Sequence, residues 1–91
     1  MSLDKLIPMV KMYTTNWCPD CIRAKRFLND RGIDFEEINV DESPDAEDLI
    51  LSVNDGRRKV PTFELNGEFF ACSPFDPYLL AEKFRVPLNP R

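Results

Sequence analysis

The chain contains no histidine. Without imidazole, Cys-His and Ser-His nucleophile pairs are excluded, as is any metal site that needs a histidine ligand. Cysteine is scarce and odd in number, at three, which fits poorly with a structural disulfide framework. Positive charge is in the minority: 12 Lys and Arg face 16 Asp and Glu, for a formal net charge of −4. A general nucleic-acid binder needs a basic stripe to neutralise phosphates, and the one basic cluster, Arg57-Arg58-Lys59, is too short to supply it. No apolar run approaches the roughly 20 residues needed to cross a bilayer. Met1 to Pro8 carries Asp4 and lacks the long apolar core of a secretion signal. Neither nucleic acid nor membrane is expected as a partner, and the expected location is the reducing cytoplasm. What remains is cysteine chemistry driven by local electrostatics.

What the chain does have is ordinary core material. Its 91 residues are 43% hydrophobic and 11% aromatic, which predicts one folded domain over residues 1–91. Met9-Val10-Lys11-Met12-Tyr13-Thr14 is apolar and β-prone and predicts a strand, followed by a loop at Thr15-Asn16-Trp17. From Pro19 to about Arg31, Ile22, Ala24, Phe27 and Leu28 recur at helical spacing, with Pro19 suited to the first turn and Gly32 to the C-terminal cap. Phe35 to Val40 alternates as a second strand. Ser43 and Pro44 mark the next helix start, its expected buried stripe being Leu49, Ile50 and Val53, and Asn54-Asp55-Gly56 its end.

Two short runs, Thr62 to Leu65 and Glu68 to Cys72, are joined by Asn66-Gly67, a strong hairpin signal. One ring of Phe69-Phe70 is expected in the core and the other outside or under the last helix. That helix is expected from about Pro74 to Phe84, with Leu79, Leu80 and Phe84 as its apolar face. The order βαβαββα implies an α/β protein with one mixed four-stranded sheet flanked by helices.

The residues that carry chemistry are Trp17-Cys18-Pro19-Asp20-Cys21, set where a strand ends and a helix begins. A cysteine at a helix start faces unpaired backbone N–H groups and the positive end of the helix dipole, which favour thiolate over thiol. Two intervening residues let one helical turn bring the second thiol within bridging reach. Cys18 is therefore expected to be the exposed, low-pKa nucleophile, and Cys21 the more buried thiol that resolves a mixed disulfide. Pro19 stiffens the turn, and Asp20 adds negative charge that raises the Cys18 pKa relative to an uncharged residue there. A lone C-x-x-C also serves as half of a zinc site, but zinc wants two more ligands and only Cys72 remains. No metal is expected.

Tyr13 to Cys21, followed by Ala24-Lys25, resembles the opening of a glutaredoxin. Val60-Pro61-Thr62-Phe63 resembles that superfamily's second motif, and Asn66-Gly67 its hairpin turn. The resemblance implies the thioredoxin fold. It also implies that Pro61 is cis and lies against the cysteine pair, leaving the Val60 backbone to hydrogen-bond an extended thiol substrate. Trp17, Pro19, Asp20, Arg58, Lys59, Val60 and Pro61 are the candidate substrate-binding residues that follow.

Departures from the glutaredoxin pattern bear on the electron donor. Thr15 stands where glutaredoxins carry lysine, and Asp20 where they carry tyrosine. Phe70-Ala71-Cys72-Ser73-Pro74 replaces the Gly-Gly-Cys-Asp-Asp loop that holds glutathione. Only Arg57, Arg58 and Lys59 offer charge for a glutathione carboxylate. Ser73-Pro74-Phe75-Asp76-Pro77 instead resembles a segment of the glutaredoxin-like redoxins that feed ribonucleotide reductase and are reduced by thioredoxin reductase. Trp17 before Cys18 is a thioredoxin habit.

Cys72 is expected to be a small core or semi-buried residue, a regulatory or glutathionylated third thiol being the alternative. The reading is a thiol–disulfide oxidoreductase, a monomeric electron carrier in cell redox homeostasis that reduces protein or mixed disulfides at Cys18 and Cys21. It needs no tightly bound cofactor and takes electrons from glutathione or thioredoxin reductase. A partner-docking module with incidental thiols and a glutathione-dependent iron–sulfur scaffold are the competing classes.

Overall fold

A computed structural model of the protein describes residues 9–89; the reading of Met1 to Pro8 lies outside them. Strand β1 (Val10–Thr14) leads into helix α1 (Pro19–Asp30), strand β2 (Glu36–Asn39), helix α2 (Pro44–Val53), strands β3 (Thr62–Leu65) and β4 (Glu68–Ala71), and helix α3 (Pro77–Phe84). The sheet order is β2-β1-β3-β4. β1 runs parallel to β2, with Met12 beside Glu37, and antiparallel to β3, with Met12 beside Phe63. β3 and β4 pair antiparallel, Phe63 against Phe70. This is the element order and mixed sheet of the thioredoxin fold.

β1 is buried on both faces, which explains why it reads as an almost continuous apolar run. Val10 and Met12 join Ala24, Phe27 and Leu28 of α1 with Phe63 and Leu80 in one core cluster. Tyr13 joins Val40, Ala46 and Ile50 in a second. The two rings of Phe69 and Phe70 divide between the clusters: Phe70 packs with Phe63 and Phe84, and Phe69 packs on the α2 side. Both are half-buried, and Phe70 lies under the last helix, one of the two places the sequence reading allows for the second ring.

Local chemistry sets the ends. The Ser43 hydroxyl accepts the Ala46 N–H at 3.2 Å, capping α2 ahead of Pro44. At the end of α1, Gly32 adopts φ +68°, its N–H bonds the Asn29 carbonyl, and the Ile33 N–H bonds that of Leu28. That is a Schellman ending. Asn66 and Gly67 both have positive φ, 53° and 86°, as a tight primed hairpin turn requires.

Five boundary and burial expectations need correction. β2 stops at Asn39, because the Asn39 side chain accepts the Asp41 N–H at 2.8 Å and turns Val40–Glu42 into a 3-10 turn. β4 stops at Ala71: the Cys72 N–H bonds the Pro61 carbonyl, but proline has no N–H to return. α3 begins at Pro77, not Pro74, with the Asp76 carboxylate accepting from the N–H groups of Tyr78 and Leu79. Val53 is 37% exposed, because the Asn54 amide turns inward beneath the end of α2, donating to the Ile50 carbonyl and the Thr62 hydroxyl. Ile22 lies on the outer side of α1 at 53% exposed, since Cys21, Ala24 and Leu28 already complete the inward stripe.

Candidate active site

Cys18 ends the loop after β1 in extended conformation, φ −135° and ψ 100°, and is the N-cap of α1. Its carbonyl accepts the first helical N–H, from Ile22, at 3.1 Å. Its Sγ accepts the Cys21 N–H at 3.0 Å, so the sulfur occupies the place usually held by a serine or aspartate oxygen. Pro19 follows with no N–H left unsatisfied. Cys18 and Cys21 are joined as a disulfide, their Cα atoms 5.1 Å apart.

Burial orders the two cysteines as expected but changes the picture of Cys18. Cys21 is 1% exposed and Cys18 only 7%. The exposed sulfur expected from the sequence is covered, because the chain at Val60 folds over it. Cys18 Sγ lies 3.6 Å from the Val60 carbonyl oxygen, a contact that reaches across α1, β2 and α2 in the chain.

The Val60-Pro61 peptide is cis, as the resemblance implied. The segment is pinned from below. The buried Thr62 hydroxyl donates to the Lys59 carbonyl at 2.7 Å and accepts from the Asn54 amide at 3.0 Å. Pro61 is buried, and its carbonyl takes the Cys72 N–H at 2.9 Å. Asn54 and Thr62 therefore hold the segment that faces the disulfide, a duty the sequence reading did not assign them.

Around the sulfurs the surface is apolar and open. Trp17 is 94% exposed, and with Asn16, Cys18, Pro19 and Ile22 it borders a depression of about 360 Å³. Ile22 is the member that sequence reasoning placed elsewhere; its spacing from Pro19, three residues, was the available signal. Asp20 lies between the cysteines and pairs with Arg23 at 3.1 Å.

The basic run divides. Arg58 is held by two acids, donating through Nε to Glu47 at 2.9 Å and through its terminal nitrogen to Asp41. These partners raise its pKa above the ordinary arginine value. Arg57 is exposed and Lys59 half-buried, and neither forms an ion pair among the described residues. The structure thus gathers Trp17, Pro19, Asp20 and Val60 around the disulfide, buries Pro61 next in the chain, and turns Arg58 toward α2.

Cys72 is buried at 1% exposed and packs in the same cluster as Cys18 and Cys21. Its sulfur accepts the Asp76 N–H at 3.2 Å. Burial pushes this thiol's pKa up, and the charges of Asp76 and Asp20 add to the effect, against the Asp76 backbone contact that lowers it. It is a core residue whose thiol stays protonated, without access to solvent.

The glutaredoxin family model matches residues 10–70. A glutaredoxin of Pseudomonas aeruginosa is 54% identical over 39 residues, which cover 43% of this chain and 46% of that protein. Mycoredoxin 1 of Corynebacterium glutamicum is 34% identical over 73 residues, covering 80% of this chain and 90% of its own. Among solved structures, the glutaredoxin-like NrdH-redoxin of Escherichia coli, described as having a thioredoxin-like activity profile, superposes with a TM-score of 0.60. It is 34% identical, over 68% of this chain and 79% of that one.

Proposed function

The chain belongs to the glutaredoxin family of thiol–disulfide oxidoreductases, and from that premise we propose that Cys18 and Cys21 are its working dithiol, that its substrates are protein disulfides, and that it is reduced by a thioredoxin-reductase-type flavoenzyme in preference to glutathione. The observation that carries this reading is Cys18 Sγ itself, bridged to Cys21, taking a helix N–H at 3.0 Å and lying against Val60.

In the reduced protein the Cys18 thiolate attacks one sulfur of a substrate disulfide. The other substrate sulfur leaves as a thiolate and takes a proton from water. Cys21, deprotonated in turn, attacks Cys18 Sγ and expels the second substrate thiolate. Two electrons pass to the substrate, and the Cys18–Cys21 bridge is the product state. The N–H of Cys21 stabilises negative charge on Cys18. An extended substrate main chain lies along Val60 and Pro61, its side chains against Trp17 and Pro19.

The choice of reductant rests on charge and shape. Glutathione is an anion, and Arg58 is already shared between Asp41 and Glu47, leaving Arg57 and Lys59 as the members of the basic run with no ion pair among the described residues. Asp20 repels it from the other side. The open apolar border at Trp17 and Pro19 suits a protein surface. The thioredoxin-like profile named for the E. coli redoxin supports the same direction. The dithiol works without a tightly bound cofactor, as a monomer in a reducing compartment.

The test is the rate of substrate turnover in two NADPH-coupled systems, one with glutathione and glutathione reductase, the other with thioredoxin reductase alone. Faster turnover with thioredoxin reductase is expected. Turnover with glutathione alone would overturn the assignment of reductant.

A further inference from the structure

α1 presents Pro19, Ile22, Arg23 and Arg26 on one outward face, at the i, i+3, i+4, i+7 spacing of a helix stripe. Beyond the apolar part of that stripe lies a groove of about 240 Å³, lined by Arg23, Arg26, Phe27, Asp30, Arg31 and Phe75. Its floor is fixed. The Arg31 guanidinium sits 3.5 Å over the Phe27 ring and donates to the carbonyls of Phe27, Pro87 and Leu88. Its mouth is not: Arg26 is exposed and has no ion pair among the described residues, and Arg23 pairs only with Asp20.

Three guanidiniums thus meet one lining carboxylate, in a chain whose net charge is −4. The groove's lining residue Arg23 pairs with Asp20, which lies between the cysteines. We propose that this groove receives an acidic segment of the disulfide-bearing protein partner. The proposal rests on the disulfide-reductase reading above and names which proteins that reductase prefers.

Geometry gives the spacing. Arg23 and Arg26 lie about 7.5 and 12 Å along the helix from Cys18, from a rise of roughly 1.5 Å per residue. An extended peptide whose cysteine reaches Cys18 brings a carboxylate to them when an acid stands about two to four residues away. Phe27 and Phe75 supply apolar walls for the stem of such a side chain. A guanidinium–carboxylate contact at an exposed surface is worth about a factor of two, so two of them give a preference of about three- to fivefold at low salt, weakening as salt rises.

Two synthetic peptides test it, each with one intramolecular disulfide, flanked at two to four residues on both sides by glutamate in one and glutamine in the other. Reduced protein reacts with each in a single turnover, and each rate is divided by that of dithiothreitol, which removes the peptide's own reactivity. The glutamate peptide is expected to react faster. That preference should vanish in Arg26→Glu and in high salt, and persist in Lys83→Gln, a charge control in the last turn of α3, where Lys83 pairs with Glu68 at 2.8 Å. Equal normalised rates would overturn the proposal, as would a preference that survives Arg26→Glu. If the wild type reduces neither peptide, the dithiol reading itself falls, and the proposal with it.

Discussion

One sulfur atom has two duties in this chain. Cys18 Sγ caps α1 by accepting the Cys21 N–H, and on the proposed mechanism the same N–H steadies its thiolate during attack. Asp20 works against that, placing a carboxylate in the same first turn, although its pairing with Arg23 offsets part of the effect. Replacing Asp20 with asparagine is expected to lower the Cys18 thiol pKa, read from the ultraviolet thiolate absorbance of the reduced protein; an unchanged titration would contradict it. At this scale the sequence was most informative about identity and least about cover. The order of burial of the two cysteines followed from helix geometry, whereas the near-complete burial of Cys18 came from Val60, 42 residues away, which nothing local to Cys18 announces. The capture of Arg58 by Asp41 and Glu47 was illegible for the same reason, since a charge run read in one dimension looks free.

Elements were legible where side chains satisfy their ends. Ser43-Pro44 and Asn66-Gly67 marked a helix start and a hairpin turn, and both stand where the sequence placed them. Asp76-Pro77 repeats the Ser43-Pro44 pattern, an N-cap ahead of proline, and was the signal for the true start of α3 that the run from Pro74 obscured. Ile22 was misplaced because an apolar residue at helical spacing need not face inward when four others already do. Ser43→Ala should destabilise the protein by about 1 kcal/mol, measured by urea unfolding of the oxidised form. A value near zero would mean that Pro44 and packing hold the start of α2 unaided.

Over the whole molecule, the central strands β1 and β3 tie the two core clusters to the site, and buried ionisable groups tie stability to pH. Burial raises the Cys72 thiol above its ordinary 9.0, and burial with nearby Glu64 and Glu36 raises Tyr13 above 10.0. In the unfolded chain both groups ionise first. Their contribution is therefore complete below the ordinary thiol value and is lost as pH rises past it, because the unfolded state then releases protons the folded state keeps. Unfolding free energy should fall between about pH 8 and 10, and Cys72→Ala should flatten that fall relative to the parent at lower pH. An unchanged slope would contradict the buried, protonated assignment of Cys72.

The most direct test of the account as a whole is to trap the intermediate. Reduced Cys21→Ser protein is mixed with a disulfide substrate, digested without reductant, and weighed by mass spectrometry. The mechanism predicts a stable mixed disulfide between Cys18 and half of the substrate, and none in Cys18→Ser. Substrate joined to Cys72, or full turnover by Cys18→Ser, would contradict the assignment of Cys18 as the attacking thiol.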